Sequence, residues 1–427
     1  MSRLRLLGDG RAAFAAMLDA IDRARTCIFL EMYLFAPDDA GREYRDGLVA
    51  AALRGVEVMV LVDAWGSWTT TDAFWAPLRS AGAEVRLFHP IRRGLFPFRN
   101  HRKLLLVDNA VAWLGGMNVA DEYRTGRAGE PPWRDFLLGI EGPEAARLRR
   151  PFLRMWARAD RPPLIRAFFH RRTPREGEQS EGDLRFIASG PGETARLALQ
   201  SHREVIRAAR RSVDLAMGYF FPPGRILREL RRAVGRGVRV RLLVTRRTDV
   251  PAMRWAARGL YGRLLRAGIE VYEYLPAILH AKLAVADDTL LVGSANLDLR
   301  SDRLNHELTA VVRDPALAAA ARGEFESDLA RSERVDLAAW RSRSPLEKAR
   351  ELFSYWLMGP APVINGSLMS RIGDGSTSDD KGEWKGPAPG PWCLTTTGWS
   401  SSSWSTRRNP FSWASPTSTG TTATGPA

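Results

Sequence analysis

Apolar residues three and four apart in GRAAFAAMLDAIDRAR predict an amphipathic helix, and the run TCIFLEMYLF behind it predicts a buried strand. The same order returns later, as EVIRAAR leading into SVDLAMGYF. Next come GLVAAALRGVEVMVLVD and ILRELRRAVGRGVRVRLLVT, each a helix, an Arg-Gly-Val turn and a β-branched strand, with Arg54, Gly55 and Val56 answering to Arg236, Gly237 and Val238. LRSAGAEVRLF and LLRAGIEVYEYL keep the correspondence, Ala81-Gly82 against Ala267-Gly268. The glycines that follow helices fit C-terminal caps, where a positive φ carries no steric cost. The chain therefore reads as two copies of one α/β unit, with strands and helices alternating toward largely parallel sheets covered on both faces. Breaks in the pattern put the units at 1–160 and 183–335, a linker at 161–182, a C-terminal helix at 336–358 and a tail at 359–427.

That tail is rich in Gly, Pro, Ser and Thr, shows neither period, and is expected to be disordered. The 427 residues, 45% of them hydrophobic, are enough for two sizeable cores. Only Cys27 and Cys393 are present, which argues against a disulfide framework and fits a reducing compartment. The first residues lack the apolar h-region of a signal peptide, and no run of about 18 apolar residues is long enough to span a bilayer. Any membrane contact is therefore expected to be peripheral.

Charge narrows the partners. With 63 Lys and Arg against 48 Asp and Glu, the formal net charge is +15. Such a surface attracts phosphate backbones and anionic lipid alike. Nine arginines fall between Arg149 and Arg175 among Phe152, Met155, Trp156, Ile165, Phe168 and Phe169, a mixture that suits either an interfacial segment or a packed helix followed by a linker. PIRRGLFPFRN, with Arg92, Arg93, Leu95, Phe96 and Phe98, is expected to form a membrane-facing lip.

The chemistry lies in a motif that occurs twice. HxKxxxxD is present as His101, Lys103 and Asp108, and again as His280, Lys282 and Asp287. Each copy runs on into a turn and an asparagine: Gly115, Gly116 and Asn118 answer to Gly293, Ser294 and Asn296. Two imidazoles suit phosphodiester cleavage, one attacking phosphorus while the other protonates the leaving oxygen. Lys103, Lys282, Asn118 and Asn296 are the expected phosphate-binding groups, because an anion that repels nucleophiles must first be neutralised. Asp108 and Asp287, seven residues past their histidines, read as structural ties near the site. His89, His170 and His202 lack a duplicated partner and read as packing or surface residues. No zinc-like ligand spacing occurs and the lysines already supply positive charge, so no cofactor or metal is expected. The GxGxxG and GxxxxGK[ST] fingerprints are absent, which argues against nucleoside triphosphates as substrates.

These residues resemble the phospholipase D superfamily and, within it, the bacterial cardiolipin synthases. The similarity runs from about Leu4 to about Met358 and includes WRDFLLGIEGP and SANLDLRSDRLNHELTAVV. The resemblance implies two phospholipase D-like domains with mixed sheets, related by a pseudo-twofold axis, with the active site at their junction. It implies His101 as nucleophile, His280 as general acid and then base, and Asp135 and Glu307 as the carboxylates that orient them. If the halves face each other these pairings cross, Glu307 with His101 and Asp135 with His280, while His306 supports the cleft or faces solvent and Tyr219 faces the cleft. It further implies transfer of a phosphatidyl group from one phosphatidylglycerol to another, on the cytoplasmic face of the cell membrane. The same chemistry leaves open a phospholipase D that uses water, or a nuclease. Two motifs in one chain and the presence of both motif aspartates make nucleic acid the less expected partner, and complete His, Lys and Asn pairs argue against a catalytically dead binding protein. Oligomeric state is not legible.

Overall fold

A computed structural model describes residues 2–90, 98–159, 179–192 and 194–358. The lip residues 91–97, most of the expected linker and the whole tail lie outside the described residues.

In the first half the strands are β1 (Arg3–Leu7), β2 (Cys27–Met32), β3 (Glu57–Asp63), β4 (Glu84–Phe88), β5 (Arg99–Asn100), β6 (Leu104–Val107), β7 (Val111–Gly115) and β8 (Leu137–Glu141). The second half supplies β9 (Gln179–Glu181), β10 (Leu184–Ser189), β11 (Ser212–Met217), β12 (Arg239–Thr245), β13 (Glu270–Tyr274), β14 (Lys282–Ala286), β15 (Thr289–Gly293), β16 (Asn305–Arg313) and β17 (Ser332–Arg334). They form two mixed sheets, ordered β1-β8-β7-β6-β2-β3-β4 and β17-β13-β12-β11-β14-β15-β16-β10-β9. Parallel pairing within these two orders is confined to β2-β3-β4 and β11-β12-β13, where helices make the crossovers. The other pairs in the orders are antiparallel, so the sheets are less parallel than the helix-strand alternation predicts. The reason is local: each motif strand turns back through a tight hairpin, and a short turn joins only antiparallel neighbours.

Asp108 (φ 52°), Asn109 (φ 53°) and Asp287 (φ 49°) stand in the left-handed region at those hairpins, which Asp and Asn tolerate better than other side chains. Most helices cover the outer faces. Helix Gly10–Asp22 starts at Asp9, whose carboxylate accepts from Ala12 N, and its residues Ala13, Phe14, Met17 and Ile21 fall on one buried stripe against Ile28 and Leu30. Between the sheets runs a core common to both halves, in which Leu104, Leu106, Leu114 and Phe136 cluster with Leu283, Val285, Val292 and Leu308. Helix Arg149–Ala159 belongs to it. Phe152 and Met155 are fully buried, Phe152 stacks on Phe29 at 5.1 Å, and Arg86 lies over Trp156 at 4.1 Å, so this part of the arginine-rich segment is a packed helix and not an interfacial one.

Candidate active site

Each motif histidine is carried on a short lead-in that leaves its own sheet and pairs with the opposite half. On one side β5 runs parallel to the start of β16, and His101 N donates to His306 O at 2.9 Å. On the other, Arg134 bridges Leu279, and His280 N donates to Arg134 O at 2.8 Å. Residues 307 and 135 follow directly after those acceptors, which sets the crossed contacts. Glu307 Oε2 lies 3.0 Å from His101 Nδ1, and Asp135 Oδ2 lies 2.7 Å from His280 Nδ1. Both carboxylates are inaccessible to solvent, and both imidazoles are nearly so.

The two pairs differ in what surrounds the carboxylate. Glu307 accepts from Ser294 Oγ at 2.5 Å, Ser301 Oγ at 2.9 Å and Asn305 Nδ2 at 3.2 Å. Burial would raise its pKa, but His101, Lys103 and the Ser294 hydroxyl together hold it below the usual glutamate range. Asp135 receives one backbone N–H, from Phe136 at 2.7 Å, and sits 3.8 Å from Lys282 Nζ. Burial pushes it up to about 6 despite the Lys282 charge. Glycine at 116, where the other half has Ser294, makes the room: a Cβ there would collide with the Asp135 carboxylate.

Burial also acts on the bases. It lowers His101 to about 4 against the pull of Glu307, and His280 falls well below its ordinary value through burial and then the charges of Lys282 and Lys103. His101 is thus a neutral imidazole at pH 7. With Nδ1 donating to Glu307, its Nε2 keeps a lone pair. Lys103 drops to about 7 through burial and then the like charge of Lys282, and Lys282 is lowered mainly by burial. Two lysines supplied by opposite halves, the charge of one acting on the other, form a seat for an anion. Lys103 Nζ donates to His101 O at 2.8 Å, and Lys282 Nζ donates to His280 O and lies 3.0 Å from His280 Nε2.

Asn118 accepts from Leu34 N at 3.1 Å and donates to Tyr123 Oη at 2.7 Å, while Asn296 Oδ1 is buried without a hydrogen-bond partner among the described residues. Tyr123 Oη lies 3.2 Å from His280 Nδ1, and Trp133 and Tyr219 approach the same imidazole with ring centroids at 5.6 and 5.9 Å. Tyr33 meets His101 edge-on at 4.9 Å and lies under Lys103 Nζ at 5.2 Å. The sequence pattern missed Tyr33, Tyr123, Ser294 as a donor, and Ser301. Tyr33 reads there as the end of an apolar strand.

Asp108 and Asp287 are not among the converging groups. Strand β6, four residues at about 3.3 Å each, separates Asp108 from Lys103. Asp108 accepts from the backbone of Arg25, Thr26 and Cys27, and Asp287 from that of Arg210, Arg211 and Ser212. They tie the hairpin turns to the entries of β2 and β11, at the far end of the motif strands rather than near the site. His306 is buried against Phe88, His89 Nδ1 meets Phe98 O at 2.9 Å, and His202 Nδ1 meets Ala198 O at 2.7 Å. His170 lies outside the described residues. No group of three or more His, Cys, Asp and Glu able to hold a metal occurs among the described residues.

A family model described as "Cardiolipin synthase, PLD-like domain" matches residues 17–156 and 203–329. The cardiolipin synthase of Geobacillus thermodenitrificans (strain NG80-2) is 33% identical over 347 residues, covering 80% of this chain and 69% of that protein. Cardiolipin synthase A of Pseudomonas aeruginosa (strain LESB58) is 37% identical over 340 residues, 78% of this chain and 68% of that protein. Among solved structures, phosphatidylserine synthase from Haemophilus influenzae Rd KW20 matches with a TM-score of 0.65 at 16% identity, over 86% of this chain and 93% of that one, a likeness of fold.

Proposed function

The chain belongs to the family of phospholipase D-like cardiolipin synthases, and from that premise we propose that it moves a phosphatidyl group from one phosphatidylglycerol to a hydroxyl of another by way of a phosphohistidine on His101. The observation that carries this reading is the asymmetry of the two histidine-carboxylate pairs. An ionised Glu307 with three side-chain donors holds the His101 Nδ1–H and leaves Nε2 free to attack.

In the first step Nε2 of His101 bonds to phosphorus, the P–O bond to the headgroup glycerol breaks, and His280 gives a proton to the departing oxygen. In the second, a hydroxyl of another phosphatidylglycerol bonds to phosphorus, the N–P bond breaks, and His280 takes the hydroxyl proton. Cardiolipin and glycerol are the products. Burial and the charges of Lys282 and Lys103 bias His280 strongly toward neutrality, so it depends on the incoming phosphodiester to offset those lysines and favour its protonated form. The two lysines with Asn118 and Asn296 take the non-bridging oxygens, each donor contributing on the order of 3 kcal/mol in the transition state.

The partner surface in this reading is an anionic phospholipid leaflet, met peripherally from the cytoplasmic side. No helix among the described residues is long and apolar enough to cross a membrane. Trp65 and Trp68, 48% and 72% exposed, stand on the turn after β3. That turn touches the site: Ser67 Oγ donates to Tyr33 O at 3.1 Å, and Asp63 takes both Trp65 N and Asn100 N. Indoles suit the headgroup layer, being apolar with one polar edge. The test is to incubate purified protein with phosphatidylglycerol vesicles and separate the lipids. Cardiolipin with equimolar glycerol is expected; phosphatidic acid alone, or faster cutting of DNA than of lipid, sinks the proposal.

A further inference from the structure

One exposed carboxylate beside the cleft has no part in the steps above. Asp63, Asp135, Asp298 and Glu307 are buried and take hydrogen bonds from neighbouring backbone or side chains, but Asp249 is exposed. Its Oδ1 accepts from Tyr219 Oη at 2.5 Å, and its other oxygen has no hydrogen-bond partner among the described residues. Tyr219 is the aromatic set edge-on to His280.

The loop that carries Asp249 contacts both halves. At its base Thr245 Oγ1 accepts from Leu279 N at 3.1 Å, the residue before His280. Further on, Arg247 reaches across to Glu130 of the first half at 2.5 Å, three residues before Trp133. The charge of Asp249 is felt by His280, Lys282 and Tyr219 in its own half and by Tyr33 and Tyr123 in the other.

Such a group repels the phosphodiesters the site must admit and can only accept hydrogen bonds. A ligand that favours it must bring donors without negative charge. The headgroup of phosphatidylglycerol brings two hydroxyls on adjacent carbons, and both the departing glycerol oxygen and the attacking lipid hydroxyl must lie beside His280. We propose that Asp249, steadied by Tyr219, forms a polyol subsite: its open oxygen accepts one hydroxyl of the glycerol headgroup while the neighbouring hydroxyl is presented to His280. The inference rests on the transferase reading above. It gives that reading a reason for preferring a glycerol-bearing acceptor to water or a simple alcohol.

The test separates acceptor choice from the first step. Dihexanoyl-phosphatidyl-p-nitrophenol delivers the phosphatidyl group from a leaving group that carries no hydroxyl and needs little proton assistance, so the nitrophenolate burst reads attack by His101 alone. With glycerol and ethanol present at equal concentration, wild-type protein should form phosphatidylglycerol over phosphatidylethanol by roughly ten-fold or more, as expected of a site built to bond a substrate hydroxyl. Asp249→Asn should bring that ratio to about one with the burst within about two-fold of wild type, and Tyr219→Phe should fall between. An unchanged ratio in Asp249→Asn overturns the subsite. So does a burst that falls in step with the ratio, which would make Asp249 a support for the catalytic groups. Replacing glycerol with ethanolamine tests the other neutralising donor, and preference for it over glycerol also overturns the proposal. Wild-type protein that yields only phosphatidic acid removes the transferase reading and the subsite together, whereas cardiolipin formation with unaltered selectivity in Asp249→Asn removes the subsite alone.

Discussion

Replacing Glu307 by Gln keeps the volume of the side chain and removes its charge. In the native site both carboxylate oxygens accept, from Ser294 and His101 on one side and Ser301 and Asn305 on the other. A carboxamide has one accepting oxygen, so two of these donors must face an NH2 group. Each hydrogen bond to a buried charge contributes about 1.5–3 kcal/mol. Losing the His101 bond frees the imidazole to rotate and to take the other tautomer, and it removes the anion that offsets positive charge on the ring as it bonds to phosphorus. The comparable change in a hydrolytic triad costs about 10⁴ in rate, or about 5.5 kcal/mol. We expect the burst of glycerol from phosphatidylglycerol, followed by rapid quench, to slow by about 10³–10⁴ while thermal unfolding shows a folded protein. The sign of the pH effect is also fixed. Glu307 raises the His101 pKa against burial, so its loss moves the acid limb still lower than about 4. A burst slowed by less than about ten-fold, or an acid limb that moves up, would refute the pairing as the source of nucleophilicity.

Other outcomes follow from the same geometry. Gly116→Ala should push the Asp135 carboxylate off His280 and cost about 10²-fold in kcat, measured against an unfolding midpoint that confirms the fold, since misplacement by about 1 Å has that effect. With Lys103 at about 7 in the free protein, kcat/KM should fall as pH rises through that value, while the fall in kcat should lie higher because a bound phosphodiester favours the ammonium; coincident limbs would show that Lys103 does not touch phosphate. Asp108→Ala should lower denaturant stability by about 2–3 kcal/mol and leave kcat/KM within a few-fold, because this carboxylate serves backbone N–H groups of β2. Burial opposes those hydrogen bonds but they prevail, so the folded pKa lies below the ordinary aspartate value. The stability contributed by Asp108 is therefore complete above that ordinary value and is lost as pH falls through the folded one.

Duplication is what made much of the site legible. A single His or Lys on a strand carries little information, but His101 with His280 and Lys103 with Lys282, in matched settings, indicated which side chains gather, and the duplicated α/β alternation indicated one sheet in each half. Strand direction was less legible, because the helix-strand period says nothing about hairpins such as the one at Asp108 and Asn109. Polar residues whose value depends on a fold-distant neighbour were invisible: Ser301 and Tyr123 occupy matching positions after Asn296 and Asn118, yet one hydroxyl serves Glu307 and the other lies against His280. Tyr33 looked like core because an aromatic at the end of an apolar strand usually is. Helix Arg149–Ala159 resisted reading for the opposite reason, since arginines beside aromatics suit a membrane surface as well as a core rimmed by cation-π contacts.

The proposed mechanism turns on one histidine of the two carrying the phosphatidyl group. Phosphatidylglycerol labelled in its phosphate, mixed with excess protein and quenched in alkaline detergent within the first turnover, allows the modified peptide to be sequenced. One label per active chain on His101 is expected, with released glycerol in equal amount and a longer-lived adduct in His280→Ala when a donor with a nitrophenyl leaving group is used. Label on His280, or glycerol released with no adduct on either histidine, would contradict it.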